Sequence, residues 1–173
     1  MSLSIRIAKA EDAAALPAIE RAAGALFRAL PDLAWIADGE PMAEAAYRLL
    51  IAQGHCWVAG EKDRLVGFLA AERAGPELHI VELSVLPEKQ GIGIGRALIQ
   101  AALTRAENDA LTGVTLTTFR DVPWNAPFYA RLGFKEVPPR ALNARLAGIR
   151  AKESRQGLPA ERRCAMRFPL GQD

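Results

Sequence analysis

The segment Gln90-Gly91-Ile92-Gly93-Ile94-Gly95-Arg96 places glycine at every second position, between a strand-forming run and a run at helical spacing. Without Cβ atoms, consecutive backbone N–H groups can turn toward one point, where the positive end of a helix dipole emerges. That is phosphate-binding chemistry. On the glycines alone, a strand-to-helix turn built for close packing stays open as the plainer reading. Two titratable side chains stand just upstream. Glu82 lies among Val81, Leu83 and Val85, surroundings that raise a carboxylate pKa. His79 precedes it and has an unperturbed pKa suited to proton transfer near neutrality. In a regular strand the two point to opposite faces, unless a bulge redirects one of them. The structural alternatives are a Glu82 paired with an arginine and a His79 at an exposed strand start.

The type of phosphate can be narrowed. A magnesium-nucleotide loop needs Gly-Lys-Ser/Thr, whereas Gly95 is followed by Arg96-Ala97. A dinucleotide fingerprint starting at Gly91 needs its third glycine where Arg96 stands.

The elements that must position these residues follow from periodicity. Ser4–Lys9 alternates as a strand, and Leu16, Ile19, Ala23 and Leu26 recur as a helix. Residues 27–40 read as a loop rich in aromatic and acidic side chains, before Pro41 opens a second helix that closes near Gln53-Gly54. His55–Ala59 and Leu65–Ala71 flank the polar turn Glu61-Lys62-Asp63-Arg64 as a hairpin, and Leu78–Leu86 is a further strand ended by Pro87. After the glycines, Leu98, Ile99, Ala102, Leu103 and Ala106 form the stripe of a buried helix. Val114–Phe119 is a strand, 125–132 a short helix and 133–137 a strand; a helix near 142–154 and the strand Cys164–Phe168 close the chain.

With 173 residues, a net charge of +2 and no internal repeat or linker, the chain reads as one domain over 1–173. Cys56 and Cys164 stand far apart without metal-ligand spacing, so a metal site and a disulfide framework are both unexpected and a cytoplasmic setting fits. No apolar stretch is long enough for a membrane span. The arginines of 138–173 are scattered around a helix axis without interleaved aromatics, so nucleic acid is not the expected partner. Solvated helix faces or an anchor for a ligand phosphate account for them more simply.

The pattern Gln/Arg-x-x-Gly-x-Gly/Ala, read as Gln90, Gly93 and Gly95, resembles the pyrophosphate-binding signature of the GNAT superfamily of N-acetyltransferases. A second segment, Asn125-Ala126-Pro127-Phe128-Tyr129-Ala130-Arg131-Leu132-Gly133-Phe134, resembles that family's Asn-and-Tyr segment ending in Gly-Phe. The resemblance implies an α/β (α+β) fold with a central mixed, mostly antiparallel sheet of about seven strands and helices on both faces. It implies acetyl-CoA as co-substrate in a gap between splayed fourth and fifth strands. Leu83, Ser84 and Val85 would pair with the pantetheine, with Leu83 N–H facing the thioester oxygen. The pyrophosphate would lie on Gln90, Gly91, Ile92, Gly93, Ile94, Gly95 and Arg96, and Asn125 would bond the pantetheine arm. Tyr129 takes the family's general-acid position, its alternative being a tyrosine packed beside Phe128. Glu82, or in its place His79, would be the base. The acceptor would be set by 27–40 and 138–160, where Phe27, Trp35, Asp32, Asp38 and Glu40 could face a cationic amine or belong to a solvated loop with Trp35 in the core. The expected activity is acetylation of a small-molecule primary amine; the alternatives are a protein N-terminus or lysine as acceptor, or a non-catalytic acyl-CoA-binding module. A homodimer is left open.

Overall fold

The computed structural model describes residues 2–171. It contains strands β1 (Leu3–Ile7), β2 (Cys56–Glu61), β3 (Arg64–Ala74), β4 (Glu77–Val85), β5 (Gly113–Phe119), β6 (Lys135–Val137) and β7 (Arg163–Pro169), and helices α1 (Leu16–Gly24), α2 (Glu44–Ala52), α3 (Ile94–Asn108), α4 (Ala126–Arg131) and α5 (Ala144–Arg155). The strands form one seven-stranded sheet in the order β1-β2-β3-β4-β5-β7-β6. β1–β2, β2–β3, β5–β7 and β6–β7 are antiparallel, whereas β4–β5 is parallel, so the mixed, mostly antiparallel sheet is found. The parallel ladder joins Glu77–His79 to Gly113–Thr115 and stops there, although β4 runs on to Val85.

The chain folds as two compact units, one of residues up to Arg73 with Ile80–Arg105, the other of Ala74–His79 with the residues from Ala106 onward. In the first, Leu16 and Ile19 of α1 and Tyr47, Leu50 and Ile51 of α2 pack with Val58, Phe68 and Ala70. Phe68 and Ala70 share one face of β3 and Gly67 faces the other way. A Cβ at Gly67 would meet Ser84 O at 3.0 Å and Val85 Cγ2 at 3.3 Å, so glycine is what allows the end of β4 to lie this close. In the second unit, Val114 and Phe168 are paired on one sheet face, and Phe134 stacks edge-on against Phe168. Thr115 and Thr117 look to the opposite face, where they bond Arg145 and Glu153 of α5.

Several sequence expectations shift. The first strand begins at Leu3 and ends at Ile7, which is 44% exposed on the sheet edge. The expected loop 27–40 is instead wound into 3-10 turns, Ala25–Ala29 and Pro31–Asp38; Pro31 starts the second, its fixed φ suiting a first turn. The second helix begins at Glu44, three residues after Pro41. The stripe from Leu98 to Ala106 is buried as expected. The last helix begins at Ala144, capped by Asn143, whose Oδ1 accepts from Leu146 N at 2.8 Å. The apolar spacing of the sequence puts Leu142, Leu146 and Ile149 on one side of this helix, and of these only Leu146 is buried.

Candidate active site

In the first unit, β4 runs through Glu82, Leu83, Ser84 and Val85 into a 3-10 turn, Pro87–Lys89, and then the glycine loop. Gln90 Nε2 donates to Val85 O at 3.0 Å, tying the loop to the strand that precedes it. Gly91 and Gly93 have φ of +79° and +93°, the left-handed region that glycine alone enters without cost. Ala97 N donates to Gly93 O at 3.0 Å, the first bond of a 15-residue helix. The N–H groups of Ile94, Gly95 and Arg96 precede that bond and point out of the helix start. Beyond the immediate chain neighbours, no atom of the described residues lies within 4 Å of a Cβ built on Gly91 or Gly93. Ile94 is buried and anchors the helix, while Ile92 is 67% exposed. Open space, outward N–H groups and a helix dipole together fit a pyrophosphate.

Glu82 is half-buried, and its Oε1 accepts from Ser84 Oγ at 3.0 Å. Sequence reasoning missed its neighbour Tyr47, fully buried in α2. The Tyr47 hydroxyl donates to Glu20, whose same oxygen accepts from Met42 N at 3.0 Å. Burial first, then the charge of Glu82 and the bond to Glu20, push this phenol far above its ordinary pKa, so it stays protonated. A tyrosine at a helical core position carries no mark of this in sequence.

In the second unit, Asn125 precedes α4 and makes no side-chain capping bond, which leaves its carboxamide uncommitted to the helix. Tyr129 sits one turn on, its N–H bonded to Asn125 O at 3.1 Å. Its ring meets Phe128 at 5.2 Å and Phe134 at 5.7 Å, both edge-on. The tyrosine therefore packs as the plainer reading expected, with its ring orientation fixed.

His79 is not at an exposed strand start: it is 5% exposed, with Nδ1 2.9 Å from Thr115 Oγ1. The same hydroxyl oxygen accepts from Arg145 Nη2 at 3.0 Å, so Thr115 links the imidazole to the guanidinium. Burial, then the Arg145 guanidinium, push the imidazole down to about 4, with Glu153 and Glu77 opposing. The unfolded chain takes up this proton near its ordinary value and the folded chain near 4. Stability is therefore whole above pH 6.5 and lost as pH falls toward 4, by on the order of 3 kcal/mol. Urea midpoints between pH 7 and 4 are expected to fall with this slope, and to flatten in His79→Gln; an unchanged slope in the variant would assign the loss to other groups.

Arg140 and Arg155 are exposed, as solvated faces would be, but other tail arginines are held in ion pairs. Arg145 and Arg167 both pair with Glu77, at 3.2 and 2.5 Å; Arg163 pairs with Glu153 and Arg162 with Asp121. In the 27–40 segment, Asp38 pairs with Arg28 and Glu40 with Arg21, and Trp35 is 48% exposed instead of tucked into the core.

A model of the acetyltransferase (GNAT) domain matches residues 52–136, the span that holds the glycine loop, Asn125 and Tyr129. N-acetyltransferase 8F1 of Rattus norvegicus is 30% identical over 127 residues, 69% of this chain and 58% of that protein. Residues 52–136 of the chain match the GNAT acetyltransferase domain. The chain spans 58% of the rat relative's length. It is similar in fold to the PaiA N-acetyltransferase of Thermoplasma acidophilum in complex with coenzyme A, with a TM-score of 0.71 at 17% identity, covering 98% of this chain and 99% of that one. It is similar also to the ribosomal-protein-S18-alanine N-acetyltransferase of Escherichia coli, with a TM-score of 0.69 at 17% identity, covering 99% and 96%. Among the described residues of the chain, no group of His, Cys, Asp or Glu is arranged to hold a metal ion, and no helix is long and apolar enough to cross a membrane.

Proposed function

We propose that this chain is an acetyl-CoA-dependent GNAT N-acetyltransferase acting as one domain in the cytoplasm, with a small-molecule primary amine as acceptor. The observation that carries the cofactor is the left-handed pair Gly91 and Gly93 at the start of α3, with open space over both. The buried, unbridged thiols of Cys56 and Cys164 accord with a reducing compartment.

When bound, acetyl-CoA supplies a thioester whose carbonyl carbon is open to attack by an amine. The residues then divide the work. Backbone N–H groups from Gln90 to Arg96 hold the pyrophosphate, and Leu83, Ser84 and Val85 pair with the pantetheine, Leu83 N–H facing the oxygen on which negative charge grows. Asn125 bonds the pantetheine arm. A primary ammonium, pKa about 10, must lose a proton before attack. Glu82 takes it: the carboxylate is half-buried and held by Ser84. His79 is the weaker candidate, since its Nδ1 is engaged by Thr115 and protonation of the ring is suppressed. Tyr129 would give a proton to the sulfur as it leaves, and the nitrogen, cationic once its bond to the carbonyl carbon has formed, would shed its second proton and restore the phenol.

A compact acceptor is supported by the form of the segments that the family uses to recognise it. Residues 25–38 are wound mostly into 3-10 turns and 144–155 into α5, with extended backbone only at short breaks such as Leu30 and Leu142–Asn143, which favours a compact acceptor over a polypeptide that pairs along a strand. The test is calorimetric titration with acetyl-CoA, followed by thiol release across primary amines, peptide N-termini and lysine peptides. Release with one small amine, reduced on the order of 100-fold in Glu82→Gln, is the expected result. Release only with peptides would move the acceptor to proteins, and binding with no release would favour a non-catalytic module.

A further inference from the structure

The glycine loop is supported from outside by a part of the fold with no role in the chemistry. β2 and β3 are joined by a tight turn in which Lys62 takes φ of +55°, so that Glu61 and Arg64 stand opposite each other across the ladder. Both reach to the turn that leads into the loop. Lys89 Nζ lies 2.5 Å from Glu61 Oε2, the two side chains only 20% and 16% exposed. Arg64 Nη2 lies 2.7 Å from Glu88 Oε1, at 57% and 58% exposure. The pairs are crossed in sign: the hairpin offers an acid and a base, and the turn answers with a base and an acid. An open surface depression lies among these side chains and those of Lys62 and Asp63.

The turn itself is short and bonded at each end. Leu86 N donates to Val66 O at 2.9 Å, and Lys89 N to Leu86 O at 2.8 Å. Directly after Lys89 come Gln90, tied back to Val85 O, and Gly91, where left-handed backbone begins. Backbone freedom is therefore concentrated in the few residues after Lys89, and a fixed Lys89 fixes where they start. The exposed Arg64–Glu88 pair adds little, as solvent-exposed ion pairs do; the shielded Glu61–Lys89 pair is the one able to hold a geometry. The bond to Lys89 also keeps the Glu61 carboxyl below its ordinary pKa, consistent with a persistent pair.

We propose that Glu61 and Lys89 are positioning residues for the cofactor loop: the hairpin tip holds Lys89, and through it the backbone of Gln90–Gly93, in the arrangement that receives the pyrophosphate. This rests on the reading of that loop as an acetyl-CoA site. Lys89 acts here through its partner and not as a phosphate contact, so removing either member has the same consequence.

The experiment compares Glu61→Gln, Lys89→Met and the swap of Glu61→Lys with Lys89→Glu. Hydrogen exchange at the amides of residues 90–96 is measured without ligand, and affinity is measured for acetyl-CoA and for S-acetylpantetheine, which lacks the pyrophosphate. Both single variants are expected to speed loop exchange and to weaken acetyl-CoA about three- to tenfold, raising KM without lowering kcat and leaving S-acetylpantetheine binding unchanged. The swap is expected to restore most of the loss. Three outcomes overturn the proposal: normal exchange and affinity in both single variants; weakening in Lys89→Met alone, which would make Lys89 a direct phosphate contact; or equal loss for S-acetylpantetheine. If the unaltered protein binds no acetyl-CoA, the cofactor reading fails, while faster exchange in the variants would still establish the brace.

Discussion

Gly93→Val is expected to remove measurable acetyl-CoA binding while the protein stays folded. Gly93 has φ of +93°, where a residue with a Cβ costs about 1–2 kcal/mol and a β-branched one more. The new Cβ itself meets open space, since beyond the chain neighbours no described atom lies within 4 Å of a Cβ built there. The valine would occupy the open space over the N–H groups of the helix start, and the strained backbone would turn those groups away. Strain of that size is already about tenfold in affinity, and the lost phosphate bonds add to it. Gly93→Ala should fall between Gly93→Val and the unaltered protein. Ile92→Ser should bind almost normally, because that side chain is 67% exposed and only the backbone of residue 92 belongs to the cradle. Calorimetric titration, with thermal unfolding to confirm the fold, checks the series; normal binding by Gly93→Val would remove the loop from the cofactor site.

Tyr129→Phe is expected to lower kcat on the order of 100-fold, within the range of general acid catalysis, with acetyl-CoA affinity nearly unchanged. The phenyl ring keeps the edge-on contacts with Phe128 and Phe134, so the variant loses a proton donor and little packing. A thiolate of pKa about 8.5 gains from protonation as it leaves, and a phenol of pKa about 10 can give the proton because the C–S bond is breaking at the same moment. An acetyl thioester of a more acidic thiol leaves without that help, and should recover most of the lost rate in the variant. A structural role would show no such recovery. Unchanged kcat with acetyl-CoA would end the acid assignment.

His79 shows where sequence reading stopped. Its type suited a base and its position suggested exposure, but Thr115, 36 residues away, takes its Nδ1. The basic tail is a similar case: Arg145 and Arg167 find Glu77 at separations of 68 and 90 residues. α5 was read by its apolar spacing, yet its inward contacts include Arg145 to Thr115 and Glu153 to Thr117, a polar inner face that a hydrophobic pattern cannot mark. The 3-10 turns in 25–38 were missed because a tight helical turn and a loop share the same composition.

The glycine loop, the strand before it, the helix after it and the Asn125–Tyr129 segment are determined by the sequence itself. Glycine at positive φ, Pro87 and Pro127 at helix starts, and apolar periodicity act through sterics within a few residues. Which carboxylate each arginine meets, which hydroxyl holds His79, and that Glu61 reaches Lys89 were decided only by the tertiary structure. Charge and hydrogen-bond partners are chosen by proximity after the strands have paired, and chain separation carries no record of that proximity.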